Sequence, residues 1–375
     1  MKRYIDNPTT TLQNPPSAHT QLIKSLTKLV TGYPPETSHS QGAYLPQNGF
    51  FTGPTSIAYL FLTLSKTHPN LSIEGKAVWE WCHAYLPDNY RVELDTKCCG
   101  VRNEKLAYLV LMAAAKGATI WAEQFFAALK EAEKGTDPVT NEYLRGRAGA
   151  LALLRILNKW CEPAAEHCDR VLKEICEFIL AQKRPWTFHG HDYLGAVHGE
   201  IGIVTQIVLS DPTYAPRVEK DLKRLLDLQT ESGQWPVTDE VDQELVHFCH
   251  GAPGFVISLV SIRPYFPNLQ PRIDAAIEKG RTFIWEKGLL TKEPNLCHGV
   301  TGNMLAFEQG GEQREHFMAY ATVEGIERGI EDGVFKKGDD PWGLWWGEAG
   351  RAWGWMVMDL GVMGRDLGWP GYTDV

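Results

Sequence analysis

Residues 195–208 read Gly-Ala-Val-His-Gly-Glu-Ile-Gly-Ile-Val-Thr-Gln-Ile-Val. Two glycines three residues apart, a histidine in front and an apolar run behind would mean little if met once. The arrangement recurs as Gly146-Arg-Ala-Gly149, Gly199-Glu-Ile-Gly202, Gly251-Ala-Pro-Gly254, Gly299-Val-Thr-Gly302 and Gly347-Glu-Ala-Gly350, with first glycines 53, 52, 48 and 48 residues apart. Degenerate copies, Gly53-Pro-Thr-Ser56 and Gly100-Val-Arg-Asn103, extend the series backwards at spacings of 47 and 46. Seven units at a near-constant period are the signature of a repeat architecture.

Each unit follows one grammar. An amphipathic stretch comes first, as in 169–182, where Val171, Ile175, Phe178 and Ile179 share a stripe at helical spacing and charges cover the other face; 216–228 and 314–329 read likewise. After a loop and the glycine pair comes a segment apolar nearly all round: 150–157, 203–209, 255–260 and 351–360. A helix without a polar face must be covered on every side. The economical arrangement is an inner ring of apolar helices inside an outer ring of amphipathic ones, an all-α, α/α toroid of about seven helical hairpins formed by residues 1–375 as a single domain. The β-branched run 201–208 could be a buried strand, but no two-residue hairpin turns join such runs. Glycines at i and i+3 share a helix face, so the pair is expected to let backbones approach closely.

Composition excludes several classes of function. A net charge of −9 argues against a nucleic-acid surface. No run approaches the length of a membrane span, the start lacks the apolar stretch of a signal peptide, and Lys2 stands where myristoylation needs glycine. Eight cysteines in a chain of this size without an export signal fit a reducing cytoplasm better than a disulfide framework.

All inner helices begin at one end of the ring, so the residues before the glycines converge there. The position before the first glycine holds Thr52, Cys99, Arg145, His198, His250, His298 and Trp346; one position further back stand Cys249 and Cys297. Cys-His-Gly-x-x-Gly is thus written twice in register. Cys249, Cys297 and one histidine would supply three ligands for a zinc ion with an open fourth position. Cys82, Cys98, Cys99, Cys161, Cys168 and Cys176 read as buried small hydrophobes, and His189, His191 and His247 as ordinary polar histidines.

The glycine series, with GAVHGEIGI (195–203), LVHFCHGAPGF (245–255) and NLCHGVTGN (295–303), resembles the lanthionine synthetase C-like family, eukaryotic members in particular. The resemblance implies one zinc per chain on Cys249, Cys297 and His298, with His250 facing substrate and His198 as the acid/base. It implies addition of the glutathione thiol to dehydroalanine or dehydrobutyrine residues of peptides or proteins. Arg3, with Asn7-Pro8 downstream, and Lys292 would then hold glutathione carboxylates. The departures are Trp346, where relatives often carry glutamate, Arg145, where animal relatives carry tyrosine, and Ser56 and Asn103 in place of second glycines.

Other readings compete. A zinc- and glutathione-binding scaffold without turnover, serving kinases or other signalling partners, is the alternative within the family. An α/α-toroid glycosidase would need two facing carboxylates, with Asp95, Glu142, Glu200 and Glu348 as candidates. A zinc prenyltransferase subunit would lack tandem Cys-His-Gly.

Overall fold

A computed structural model describes residues 3–7, 12–38, 48–238, 244–338, 340–365 and 367–373. Pro8, named with Arg3 and Asn7 above, lies outside the described residues. Among the described residues the regular structure is helical apart from a two-stranded ladder, Ser72–Ile73 with Lys76–Ala77, and isolated bridges. No helix among the described residues is long and apolar enough to cross a membrane. Contacts divide the chain into two compact units, residues 94–284 with 369–375, and residues 1–93 with 285–368.

In the unit built on 94–284, the apolar helices Glu104–Lys116, Arg147–Trp160, Glu200–Ser210 and Ala252–Ile262 pack one on the next. Residues 201–208 are helical, not a buried strand, and buried throughout. The amphipathic helices Thr119–Gly135, Ala165–Ala181 and Ala215–Asp227 pair with them and keep one face in solvent. Residues 369–373 belong to this unit. Trp369 stacks on Phe248 with ring centroids 3.4 Å apart, Arg155 donates to the carbonyls of Gly371 and Tyr372, and the Tyr372 hydroxyl donates to Ala196 O.

The other unit holds Ala18–Gly32, Pro54–Thr67 and Glu348–Val362, the last packed on both of the others. The seventh repeat here meets the first: Trp345 N–H donates to Phe51 O at 3.0 Å, and Leu344 N–H to Ser56 Oγ at 3.1 Å. The serine in place of the first repeat's second glycine therefore has a job of its own. An ion cluster is sealed beside this seam. Arg351 donates to Glu293 and Glu348, and the Ser25 hydroxyl also donates to Glu348.

The second glycines are explained by one repeated contact. A Cβ on Gly149, Gly202, Gly254, Gly302 or Gly350 would lie 1.7–2.1 Å from the carbonyl oxygen six residues earlier, those of Tyr143, Ala196, Phe248, Leu296 and Leu344. The close approach is thus chiefly between each helix's first turn and its own entry loop. It clamps the residues before the glycine pair over the helix N-terminus.

Three expectations need correction. In the second repeat the apolar helix starts at Glu104, capped by the Asn103 side chain accepting from Leu106 N–H, so Gly100 does not cap it and Cys99 is not at its N-terminus. Cys99 is sealed in the core, where burial pushes its thiol up to about 12. The stretch 314–329 is two helices, Glu312–Ala319 and Val323–Glu331, because Thr322 caps the second through Gly325 N–H. The sixth inner helix is a single turn, Val300–Met304.

Candidate functional site

Gly251 has φ +103°, a backbone that side chains other than glycine rarely adopt, and a Cβ there would strike Leu245 O. With Phe248 O held against Gly254, this turn fixes Cys249 and His250 ahead of the helix Ala252–Ile262. Gly195 lets the Cys249 carbonyl approach closely. The Cys297–His298 loop is set by Asn295, whose Oδ1 accepts from His298 N–H at 2.8 Å while Cys297 N–H donates to Trp345 O at 2.9 Å. This is the local side chain-to-backbone bonding that favours Asn in turns.

Among the described residues, the ligand atoms of Cys249, Cys297 and His298 lie within 4.8 Å of one another. Both cysteines are buried, and none of the eight thiols is in a disulfide. Around a tetrahedral zinc, thiolate and imidazole donors sit roughly 3.5–3.8 Å apart, given Zn–S and Zn–N distances of about 2.3 and 2.0 Å. Two sulfurs and an imidazole gathered this closely fit that ion with small adjustments, and such a soft donor set suits zinc rather than magnesium or calcium. The Trp346 ring lies 5.5 Å from His298 and edge-on to Phe51, a hydrophobic wall where a carboxylate was the family expectation.

His198 Nδ1 bonds Glu142 Oε2 at 2.8 Å. Glu142, 1% exposed, also accepts the N–H groups of Leu144 and Arg145. The His198 ring is flanked by Phe188, nearly parallel with centroids 5.1 Å apart, and by His250 at 5.8 Å and Tyr193 at 6.0 Å. Burial alone would lower its pKa, but the Glu142 hydrogen bond and charge, with Cys249 behind them, outweigh it and raise it. With Nδ1 committed to a carboxylate, Nε2 is the nitrogen left to exchange a proton.

The sequence marks Glu142 only as a glycosidase candidate; its partner is 56 residues away, so no local motif joins them. Of the other candidate carboxylates, Glu200 is bonded to Arg224 and Glu348 to Arg351, which removes them as a facing catalytic pair. Arg145 leans towards Asp95 at 3.9 Å.

Arg3 and Lys292 are exposed and meet through the backbone. Residues 3–5 run beside 289–291: Thr291 N–H donates to Arg3 O at 3.0 Å, and Ile5 N–H to Leu289 O at 2.6 Å. Lys292 in turn bridges Lys336, which adds a third cation that no motif had marked. Asn7 anchors the segment, donating to Trp285 O and accepting from His316 Nε2 at 2.8 Å.

A helical repeat protein with a thiol–imidazole cluster and a separate Glu–His pair is the class that fold and site define. The model of the lanthionine synthetase C-like protein family matches residues 105–360, more than half of the chain, and the chain belongs to that family. Among curated relatives, "Glutathione S-transferase LANCL1" of Danio rerio is 27% identical over 195 residues, 46% of this chain and 47% of the relative. "LanC-like protein GCL1" of Arabidopsis thaliana is 30% identical over 198 residues, 47% of this chain and 43% of the relative. The matches span about half the length of these eukaryotic relatives. Among solved structures, nisin cyclase aligns with a TM-score of 0.61 at 13% identity, covering 90% of this chain and 94% of its own. That likeness shows the fold, an all-α, α/α toroid.

Proposed function

We propose that the protein adds the thiol of glutathione to dehydroalanine or dehydrobutyrine residues of peptides or proteins in the cytoplasm, using one zinc ion held by Cys249, Cys297 and His298. The observation that carries this reading is the gathering of those three donors within 4.8 Å. The transferase name of the Danio rerio relative supports glutathione as the thiol. Zinc, when bound, supplies a Lewis acid that keeps a thiol ionised at neutral pH.

The remaining chemistry falls to the chain's own groups. The glutathione sulfur bonds to the β-carbon of the dehydroresidue, the double bond's electron pair moves to the α-carbon, and that enolate needs one proton. His198, oriented by Glu142, delivers it from Nε2, and the proton lost by the thiol restores the imidazolium. Arg3 and Lys292 receive glutathione carboxylates, and His250, beside His198, faces the substrate.

The test incubates the protein with glutathione and a dehydrobutyrine peptide and follows the mass gain of one glutathione. A zinc-dependent adduct should form faster than in buffer. Arg3→Ala or Lys292→Ala should weaken glutathione about ten- to a hundred-fold, since a charge-assisted contact contributes roughly 1.5–3 kcal/mol. Saturable glutathione binding without adduct on several dehydrated peptides would favour the scaffold reading instead.

A further inference from the structure

Beside the His198–Glu142 pair lies a cavity of about 360 Å³, lined by Val139, Asn141, Arg184, Pro185, Trp186 and Thr187 among others. Its volume is that of a small ligand site. Two polar groups in its lining lack partners. Asn141 is 1% exposed, its Oδ1 accepts no hydrogen bond, and its Nδ2 reaches only Val139 O at 3.5 Å. Arg184 spends Nη1 on Asp221 at 2.9 Å and on Arg217 O at 3.3 Å, yet its buried Nε–H has no acceptor. Buried polar groups are nearly always satisfied, so two orphans in one cavity call for a ligand that supplies both a donor and an acceptor.

Covalent neighbours tie this cavity to the chemistry. Asn141 immediately precedes Glu142, which holds His198, and Thr187 immediately precedes Phe188, which stacks on His198. The rest of the lining is mixed: Gln182, Lys183, Thr187 and Asp192 are polar, and Val139, Pro185 and Trp186 form an apolar side, in which Trp186 is buried and pinned by its Nε1–H to Ile179 O at 3.1 Å. An extended polypeptide presents an N–H donor and a C=O acceptor on its backbone and side chains to the wall. We propose that this cavity is a subsite for an extended stretch of the acceptor peptide flanking the residue to be modified. Asn141 Oδ1 takes a peptide N–H, Arg184 Nε–H gives to a peptide carbonyl, and Val139, Pro185 and Trp186 receive a side chain. The proposal rests on the acceptor being a peptide, as in the function proposed above.

The test compares a long dehydrobutyrine peptide with N-acetyl-dehydroalanine amide, which has no flanking residues. Asn141→Ala removes the acceptor. Val139→Glu, on the exposed rim, spoils the apolar wall without touching Glu142. In each variant the ratio of kcat/KM for the long peptide to that for the small acceptor should fall three- to tenfold, the value of one lost hydrogen bond or apolar contact, through a raised KM for the long peptide. An unchanged ratio in both variants, or equal losses on the two acceptors, overturns the subsite. Fluorescence anisotropy of a labelled peptide with alanine at the reactive position reads binding without turnover. Three- to tenfold weaker binding in the variants upholds the subsite even if the wild type forms no adduct; no binding by the wild type, or binding unchanged in both variants, overturns it.

Discussion

Replacing Glu142 by glutamine isolates what the buried carboxylate does for His198. The side chains are nearly the same size, and the two are joined at 2.8 Å with Glu142 1% exposed. Glutamine can still accept from one loop N–H, but it cannot stabilise an imidazolium. Burial, which acts to lower the His198 pKa, would then be opposed mainly by Cys249. A hydrogen bond to a charged group contributes about 1.5–3 kcal/mol, so its loss destabilises the imidazolium by about that much relative to the neutral ring, and the His198 pKa should fall. His198 must be protonated to serve the α-carbon, so the wild-type rate falls as pH rises through its raised pKa. In Glu142→Gln that descending limb should move towards acid, and a ¹H NMR titration of the ring should move with it. Zinc content should be unchanged. A limb that stays in place would refute the reasoning and assign the proton to another group, His250 being the nearest.

Arg351→Met leaves Glu293 and Glu348 buried without their shared cation, and urea denaturation should show a loss of about 3–5 kcal/mol; a loss below about 1 kcal/mol would mean the cluster is wetter than its burial indicates. His316 is sealed, its pKa lowered by burial, with Nδ1 accepting from Gln13 N–H and Nε2–H given to Asn7. A depressed histidine pKa contributes stability that is full above the unfolded value of about 6.5 and is lost as pH falls towards the folded one. Hydrogen exchange at Ile5, corrected for intrinsic rate, should therefore quicken between pH 7 and 5, and constant protection would contradict this.

The repeat was legible because its glycines answer a steric demand. A Cβ at Gly202 or Gly302 would overlap a carbonyl oxygen of the same chain, so substitution is costly and the spacing shows the fold's period. The apolar inner helices were legible for a similar reason: Ile201 to Val208 are buried on every side and carry no polar face. The shifted start at Asn103 was hidden because Gly100 serves a different contact, the approach of Leu144 O. The break near 320–322 was hidden because the apolar period runs through it, while a single threonine cap decides the geometry. At the site, register marked Cys249, Cys297 and one histidine, and the family resemblance chose His298 over His250. Glu142 behind His198, Lys336 beside Lys292 and the docking of residues 3–5 on 289–291 are tertiary pairings between distant segments that no local pattern encodes.

The zinc content of two purified single-cysteine variants tests the central claim most directly. Cys297 sits among the gathered donors, whereas Cys168 is an equally buried thiol in an outer helix, raised to about 12 by burial. The account predicts close to one zinc per chain in the wild type and in Cys168→Ala, and most of it lost in Cys297→Ala with the fold retained by circular dichroism. Equal zinc in the two variants would contradict it.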